Sequence, residues 1–411
     1  MCIIKTNKKL AIFIWHGFFL SLTMSMLDFS TVFPALINEL VDSKIIFGFL
    51  YSIMLGVPLV FNVFFSHYMR FYRYRKVFLL LGIYLRSISF LGMAIFTYYF
   101  GKQNPSLTII SFVFWIFIFS ISGGFAGIAY SDIIGKLFSK GQRQEVFAYK
   151  QLFGSISAFL GGLIIVRIFS VLNLSFPDNY FWALIIGFLG LLIASLSFWF
   201  INEPPSPETT KKEQGIFSII KEVPAILKVD KLFSRFILVE NLSSFSLMLL
   251  PFYMVYAIDT YNLDKSFLGT FLLIQLAGMV LSNFLWRFIG KRMGSAMVVK
   301  LCILIGAILP LFALLISIFG PIYYSLVFFI VGVIKSGRRI GFDPYLLDIA
   351  PEEDRTIYLG IRGTMSFLTV ILPLLGGILI DVTGYMTTFI IVSLVMMLAY
   401  YLSKLPQENS R

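Results

Sequence analysis

Residues 180–202 read YFWALIIGFLGLLIASLSFWFIN and contain no charged side chain. As a helix rising about 1.5 Å per residue, this run is long enough to cross a hydrocarbon layer of about 30 Å. The whole chain has 411 residues, of which 58% are apolar and 13% charged, and its mean hydropathy is +0.89. These values are far above those of soluble globular proteins, which excludes a water-soluble enzyme.

Twelve runs of this kind occur, six before and six after a polar stretch rich in Pro, Glu and Lys. They are numbered spans 1 to 12 and cover residues 10–33, 45–66, 77–100, 107–130, 147–170, 180–202, 232–257, 266–289, 295–318, 321–346, 359–380 and 385–403. Span 1 has no small-residue cleavage site before Asp28, so we interpret it as an uncleaved helix rather than a signal peptide. The sequence predicts an all-α polytopic membrane protein with an N-terminal six-helix bundle (1–202), a cytoplasmic linker (203–230) and a C-terminal six-helix bundle (231–411).

Lys and Arg residues are distributed unevenly over this layout. If both termini are cytoplasmic, 25 of the 33 cations lie in the tails and in the loops after spans 2, 4, 6, 8 and 10, and four lie on the opposite side. The positive-inside rule therefore predicts cytoplasmic termini for a protein of the inner or plasma membrane. The same bias accounts for the net charge of +12, so no nucleic-acid partner is needed to explain the basic loops. The partner expected for them is the lipid bilayer.

Landmarks of the first half recur in the second half at nearly constant offsets. The matched pairs are Pro34 with Pro251, Gly48 with Gly269, Arg143 and Lys150 with Arg355 and Arg362, and Gly161-Gly162 with Gly376-Gly377, and their offsets lie between 212 and 221. Such a spacing indicates a parallel duplication of six helices, an architecture with a site between the halves.

With this layout the sequence resembles the major facilitator superfamily over nearly its whole length. Four local segments carry the resemblance: Ile201 to Pro205 after span 6, Pro251 to Tyr253 in span 7, Trp286 to Gly294 after span 8, and Asp348 to Arg362 after span 10. The resemblance implies alternating access, in which two halves rock around a central cavity.

Two features depart from the family pattern. The loop after span 2, His67 to Lys76, has no acidic residue where the family carries an Asp, and Lys291 stands at that position in the second copy. Span 5 contains Gly154, Gly161 and Gly162 but lacks the proline found in the family's antiporters, which argues against drug efflux.

Span 10 carries Lys335, Arg338 and Arg339, which share one helical face because they lie at i, i+3 and i+4. Exposing three cations to lipid costs roughly 8 to 10 kcal/mol on an insertion scale, so this face points at protein or water. Two interpretations stay open: a patch that attracts an anionic solute, with Asn241 as a further binding residue, or an internal network that includes Asp343.

Three other ionisable residues lie inside the first half or at the start of the second. Arg86 has no acidic residue in its own span 3 or in spans 2 and 4, so its partner comes from farther away or from a solute. Asp28 and Glu240 are the acids well inside the first helix of each half, and each is either ion-paired or a proton-coupling group, since a desolvated carboxylate favours its neutral form. His16 is predicted to be a core residue.

Other functional classes lack their required residues. No Gly-x-x-x-x-Gly-Lys-Ser/Thr loop is present for an ATP-driven pump, and the two cysteines, Cys2 and Cys302, support neither redox nor metal chemistry. The cluster of Glu352, Glu353 and Asp354 fits a helix cap better than a metal-dependent transferase.

The sequence therefore predicts a monomeric secondary carrier that needs no cofactor and moves a small organic solute, anionic or zwitterionic in character. Protons are the first choice of coupling ion. The alternative is a proton-coupled exporter of amphipathic or cationic drug-like compounds.

Overall fold

The structure is a computed structural model that describes residues 8–69, 72–138, 140–172, 174–205, 224–263, 266–350, 358, 361–363 and 365–404. The helices in these ranges are α1 (Lys8–Met26), α2 (Val32–Leu40), α3 (Lys44–Met69), α4 (Lys76–Phe100), α5 (Pro105–Leu137), α6 (Lys140–Val166), α7 (Asp178–Trp199), α8 (Lys231–Ser243), α9 (Phe245–Leu249), α10 (Phe252–Tyr261), α11 (Ser266–Ile316), α12 (Pro321–Ile349) and α13 (Phe367–Leu402). A π-helical turn, Arg167–Val171, follows α6, and a 3-10 turn, Ser317–Phe319, follows α11.

The predicted twelve-helix architecture is confirmed. Nine segments of the described residues are long and apolar enough to cross a membrane. Two of them are each divided into two crossings, at Gly294 in α11 (φ 80°) and at Gly384 in α13 (φ 79°). Glycine adopts such positive φ angles without the steric penalty of a Cβ atom. Helix α12, which carries the three cations of span 10, supplies the remaining crossing.

The chain forms two compact units. Unit 1 consists of Met1–Asp42 and Ile53–Lys211, and unit 2 consists of Ser43–Ser52 and Lys212–Arg411. The first part of α3 therefore belongs to unit 2. Most of the expected linker, residues 206–223, lies outside the described residues, and so do Arg355 and the acidic cluster 352–354.

In unit 1, helix α1 packs against α6 and α7, and α4 packs against α5 and α7. Hydroxyl groups join these helices through backbone carbonyls: Ser25 Oγ donates to Ala158 O at 3.2 Å, and Thr23 Oγ1 donates to Gly187 O at 3.1 Å. Small residues permit this close approach, and a hydroxyl bonded to a carbonyl leaves no unsatisfied polar group in an apolar layer.

An acidic residue from a distant part of unit 1 occupies the end of α4 that follows the basic loop. Glu203, whose side chain is 1% exposed, accepts hydrogen bonds from the backbone N–H of Arg75 at 2.8 Å and of Lys76 at 2.7 Å, and it pairs with Lys136 Nζ at 2.5 Å. Asp132 pairs with Lys136 at 2.7 Å. The carboxylate that the loop after span 2 lacks is thus supplied by residues distant in sequence, and it caps the N-terminus of α4 where the helix dipole favours a negative charge.

In unit 2, helices α11 and α12 cross at two glycines. A Cβ atom built on Gly278 would lie 2.2 Å from Phe329 O, and one built on Gly332 would lie 2.1 Å from Gln275 O. The rings of Phe271 and Phe328 stack beside this crossing with centroids 4.4 Å apart. No larger side chain fits at either glycine without separating the helices, so the two glycines set the interhelical distance.

The start of α3 packs along α13 inside unit 2. Cβ atoms at Gly48 and Gly377 would lie 2.3 Å from Pro373 O and 2.1 Å from Lys44 O, respectively. Lys44 Nζ pairs with Asp259 Oδ2 at 3.0 Å, so the first turn of α3 also contacts the end of α10. This segment is held by close backbone packing together with an ion pair.

Candidate functional site

Unit 2 contains a compact network of charges inside its spans, centred on Arg362. Its guanidinium binds Glu240 through Nε at 2.9 Å and through Nη2 at 2.5 Å, and its Nη1 lies 2.6 Å from Asp343 Oδ1. Glu240 is 7% exposed. An arginine held by two carboxylates in a mostly buried place is neutralised by protein groups, so this cation is already balanced.

Arg338 of α12 is satisfied mainly by backbone and hydroxyl oxygens. Its Nη1 donates to Ser243 O at 3.1 Å and to Ser243 Oγ at 3.0 Å, and its Nη2 donates to Ser244 Oγ at 3.4 Å. The guanidinium also stands 4.6 Å from the ring centroid of Phe342. This side chain therefore links α12 to the end of α8.

The other predicted binding residues of unit 2 have different surroundings. Arg339 is exposed and Lys335 is half-buried. Asn241 donates from Nδ2 to Ile237 O at 2.9 Å, while its buried Oδ1 has no hydrogen-bond partner among the described residues. The three cations of span 10 thus do not have a common environment. Asp343 does belong to an internal network, but its partner is Arg362 rather than Arg339, because Arg362 reaches it from a segment beyond α12.

Arg86 is the cation of unit 1 that lies deepest inside a span. It lies ten residues along α4, its Nη2 is 3.7 Å from Met24 Sδ, and its Cζ is 4.2 Å from the ring centroid of Phe119. A Cβ atom at Gly123 would lie 3.5 Å from Cζ and Nε, so the guanidinium rests against this glycine of α5. A thioether and an aromatic face are weak partners for a guanidinium with five N–H donors.

No carboxylate of the described residues pairs with Arg86, and its buried Nε has no hydrogen-bond partner among them. One turn beyond Gly123, Gly127 is exposed and a Cβ atom built there would meet nothing within 4 Å. An exposed glycine therefore lies one helical turn from the glycine that the guanidinium contacts, on nearly the same face of α5. This contrast with Arg362 is the main electrostatic difference between the two units.

The remaining predicted residues of unit 1 have local roles. Asp28 lies in the turn between α1 and α2, where its Oδ1 accepts hydrogen bonds from Ser30 N at 2.9 Å and Thr31 Oγ1 at 3.1 Å. His16 is 5% exposed and lies among aromatic rings, as expected for a core residue, with ring centroids 4.8 Å from Phe198 and 5.4 Å from Tyr130. The structure does not bring Asp28 into contact with Arg86.

Sequence reasoning missed Arg362 as an intramembrane group, since it was grouped with the cytoplasmic cations. The signal available in the sequence was that Arg362 matches Lys150 in the internal repeat. Both residues lie near the start of a span, and each follows an arginine, Arg355 or Arg143, by seven positions. Lys150 likewise reaches inward, with its Nζ 4.2 Å from the ring centroid of Tyr130.

Comparison with known proteins identifies the family. The Major Facilitator Superfamily profile matches residues 17–334 and 236–411 in two overlapping segments, and the chain belongs to this superfamily of membrane transporters. No curated protein matches the chain by sequence.

Solved structures share the fold at low sequence identity. A POT family transporter in complex with 5-aminolevulinic acid has a TM-score of 0.71 at 13% identity, over 97% of this chain and 96% of that chain. A D-xylose-proton symporter has a TM-score of 0.70 at 14% identity, over 98% of each chain. A bacterial homologue of the iron transporter ferroportin in an inward-facing state has a TM-score of 0.72 at 12% identity, over 98% of each chain. At these identities the likeness extends to the fold alone.

Proposed function

We propose that this protein is a secondary carrier that moves a small organic solute with an anionic group across the cell membrane by alternating access. The observation that carries the proposal is Arg86, a half-buried cation inside a span with no carboxylate partner in the described part of the chain. Zwitterionic solutes meet the same requirement because they also present an anionic group.

A charged group inside a membrane span raises the free energy of the protein because it has lost its contact with water. A charged side chain at mid-membrane costs at least about 2.5 to 3.5 kcal/mol unless another group compensates it. Phe119 and Met24 supply only part of that compensation, since cation–π contacts contribute roughly 0.5 to 2 kcal/mol. A carboxylate or phosphate of the solute would bind the guanidinium fork through two parallel hydrogen bonds, which is the strongest pairing available to arginine.

Residues of unit 2 are proposed to contribute additional hydrogen bonds to the solute. Arg338 already donates to oxygens of Ser243 and Ser244, so it would offer a solute only part of its hydrogen-bonding capacity. Lys335, Arg339 and Asn241 stay proposed binding residues, and the buried Oδ1 of Asn241 would accept a hydrogen bond from a solute.

For energy coupling, we assign the proton to Glu240 and Asp28. Protonation of Glu240 would remove the charge that binds Arg362, so proton binding and the Glu240–Arg362 ion pair are mutually exclusive. Asp28 would exert a similar effect on the turn that it caps between α1 and α2. The D-xylose-proton symporter among the structural relatives supports the proton as the first choice of ion.

The proposed carrier is a monomer without a cofactor and has six-helix bundles at 1–202 and 231–411. In the proposed orientation, both termini and the linker 203–230 lie in the cytoplasm. Its support is the 25 to 4 distribution of Lys and Arg between the two sides.

The first prediction tests the role of Arg86. In proteoliposomes, Arg86→Gln should reduce uptake of anionic solutes at least tenfold, because neutral Gln cannot form the paired charge-assisted hydrogen bonds. Arg86→Lys should retain part of the uptake with a higher KM, since it keeps the charge and loses the fork. The matched control is Arg292→Gln, which removes an exposed arginine.

Uptake is measured with radiolabelled organic acids, zwitterions and lipophilic cations. Unchanged uptake in Arg86→Gln, or wild-type transport of the cations alone, would contradict the proposal. The second result would favour the exporter of cationic compounds.

The second prediction concerns coupling. Glu240→Gln or Asp28→Asn should abolish accumulation driven by an imposed pH difference while sparing exchange of solute down its own gradient. The isosteric amides keep the shape and remove the titrating group. Asp381→Asn, which changes an exposed acid, is the control and should respond to the pH difference like the wild type.

If Glu240→Gln, Asp28→Asn and the variant that combines the two all accumulate solute with an unchanged pH response, these acids are not the coupling groups. The double variant Glu240→Gln/Arg362→Gln shows whether any loss comes from an unbalanced arginine, because it removes both charges of the pair.

The third prediction tests orientation in whole cells. In a background with Cys2 and Cys302 replaced, a cysteine at Gln103 or Asp381 should react with an impermeant thiol reagent added outside, whereas one at Met293 should not. All three positions are exposed. The reverse labelling pattern would place the termini outside.

A further inference from the structure

A second group of polar side chains in unit 1 lies close to Arg86. Lys150 of α6 and His16 of α1 both lie beside the ring of Tyr130 of α5: Lys150 Nζ is 4.2 Å from the Tyr130 ring centroid, and the His16 ring centroid is 5.4 Å from the same centroid. A Cβ atom at Gly17 would lie 2.5 Å from Lys150 Cγ, so the glycine makes room for the lysine stem to enter the unit.

Two buried polar atoms in this group have no hydrogen-bond partner within the part of the chain that the structure describes. Tyr130 is 8% exposed and its hydroxyl has no hydrogen-bond partner among the described residues, and the same holds for Nδ1 of His16, which is 5% exposed. Buried polar atoms in proteins are nearly always hydrogen-bonded, so each of these two atoms keeps a hydrogen-bonding capacity that a bound solute or a water would fill. The ammonium of Lys150 lies beside the Tyr130 ring, and a cation at this place favours an anion as the molecule that binds there.

The distance along α5 between Arg86 and the group around Tyr130 determines the length of a solute that would contact both. Gly123, which contacts Arg86, and Tyr130 are seven residues apart on α5, which corresponds to about 10 Å along the axis and nearly the same face of the helix. Gly127 lies between them, exposed and with open space where its side chain would be. One face of α5 therefore has a cation at each end and a glycine opening between them.

We propose that Lys150, Tyr130 and His16 form a second oxyanion subsite, and that the solute of Arg86 carries two acidic groups, one at each end. This inference rests on the proposed function, because it assigns the substrate class of the same site. The Tyr130 O–H donates to the second oxyanion, His16 donates from Nδ1, and the Lys150 ammonium supplies the charge. The matching solutes are dicarboxylates and carboxylates with a phosphate or phosphonate at the far end.

The test compares acids of matched length by thermal shift of the purified full-length protein in detergent, at constant ionic strength. The probes are hexanoate, adipate, 6-phosphonohexanoate and the shorter succinate. Wild-type protein should bind adipate or 6-phosphonohexanoate at least tenfold more tightly than hexanoate, a difference of about 1.4 kcal/mol. Succinate should show no such advantage, because it is too short to reach both subsites. The preferred six-carbon probe distinguishes a carboxylate from a phosphoryl-type second group.

Variants assign that preference to the subsite. Tyr130→Phe and Lys150→Met should reduce the ratio of dianion to hexanoate affinity at least threefold while leaving hexanoate binding unchanged. Without ligand, Tyr130→Phe should melt no lower than wild type, because the hydroxyl that it removes bonds to none of the described residues. The matched control is Tyr84→Phe, whose hydroxyl accepts a hydrogen bond from Trp199 Nε1 at 2.8 Å: it should lower the melting temperature and leave the ratio unchanged.

Each outcome decides the inference. A ratio near one in the wild type, or a ratio that neither variant changes, overturns the second subsite, and binding of hexanoate that Arg86→Gln abolishes would still uphold the proposed function. If neither hexanoate nor the longer dianions bind, both proposals fail. If Lys150→Met does not fold, Tyr130→Phe decides the question, because it keeps the aromatic ring and its contacts.

Discussion

The dominant constraint on this protein is that a charge inside a hydrocarbon layer requires a compensating group, because water is absent there. Helices can satisfy most of their backbone groups internally, and in the described residues hydroxyls of Ser25 and Thr23 bond to carbonyls of neighbouring helices. Charged side chains cannot be satisfied in this way alone. A charged side chain whose partner is a protein group therefore has a structural role, whereas one without such a partner is available to a solute.

The two units meet this constraint differently. In unit 2, Arg362 binds Glu240 and Asp343, and Arg338 binds serine oxygens, so these two arginines have protein partners. In unit 1, Arg86 contacts a thioether, an aromatic ring and a glycine, and the exposed Gly127 lies one helical turn from that glycine. Burying an arginine with only weak partners destabilises the folded protein, so such a residue is typical of a binding site.

Much of the fold follows from local sequence, whereas the site does so only in part. Hydropathy and the spacing of landmarks predict the twelve spans, because each span must be apolar by itself. The absence of nearby acids singles out Arg86 for the same reason. By contrast, the pairing of Glu203 with Arg75 and of Arg362 with Glu240 joins residues more than 120 positions apart, and no local pattern encodes such contacts. The sequence also does not distinguish Tyr130 from the other tyrosines, of which the chain has 20 in all, although its hydroxyl has no hydrogen-bond partner among the described residues.

The most direct test of the account is the melting temperature of Arg86→Met in the absence of solute, measured together with anion uptake by the same preparation. If Arg86 is retained for binding at a cost in stability, the apolar and similarly long Met should leave the melting temperature unchanged or raise it by a few degrees, a change of about 1 kcal/mol, while uptake is lost. A melting temperature that falls by several degrees, with uptake retained in the remaining folded protein, would show that Arg86 is a structural residue and would contradict the account.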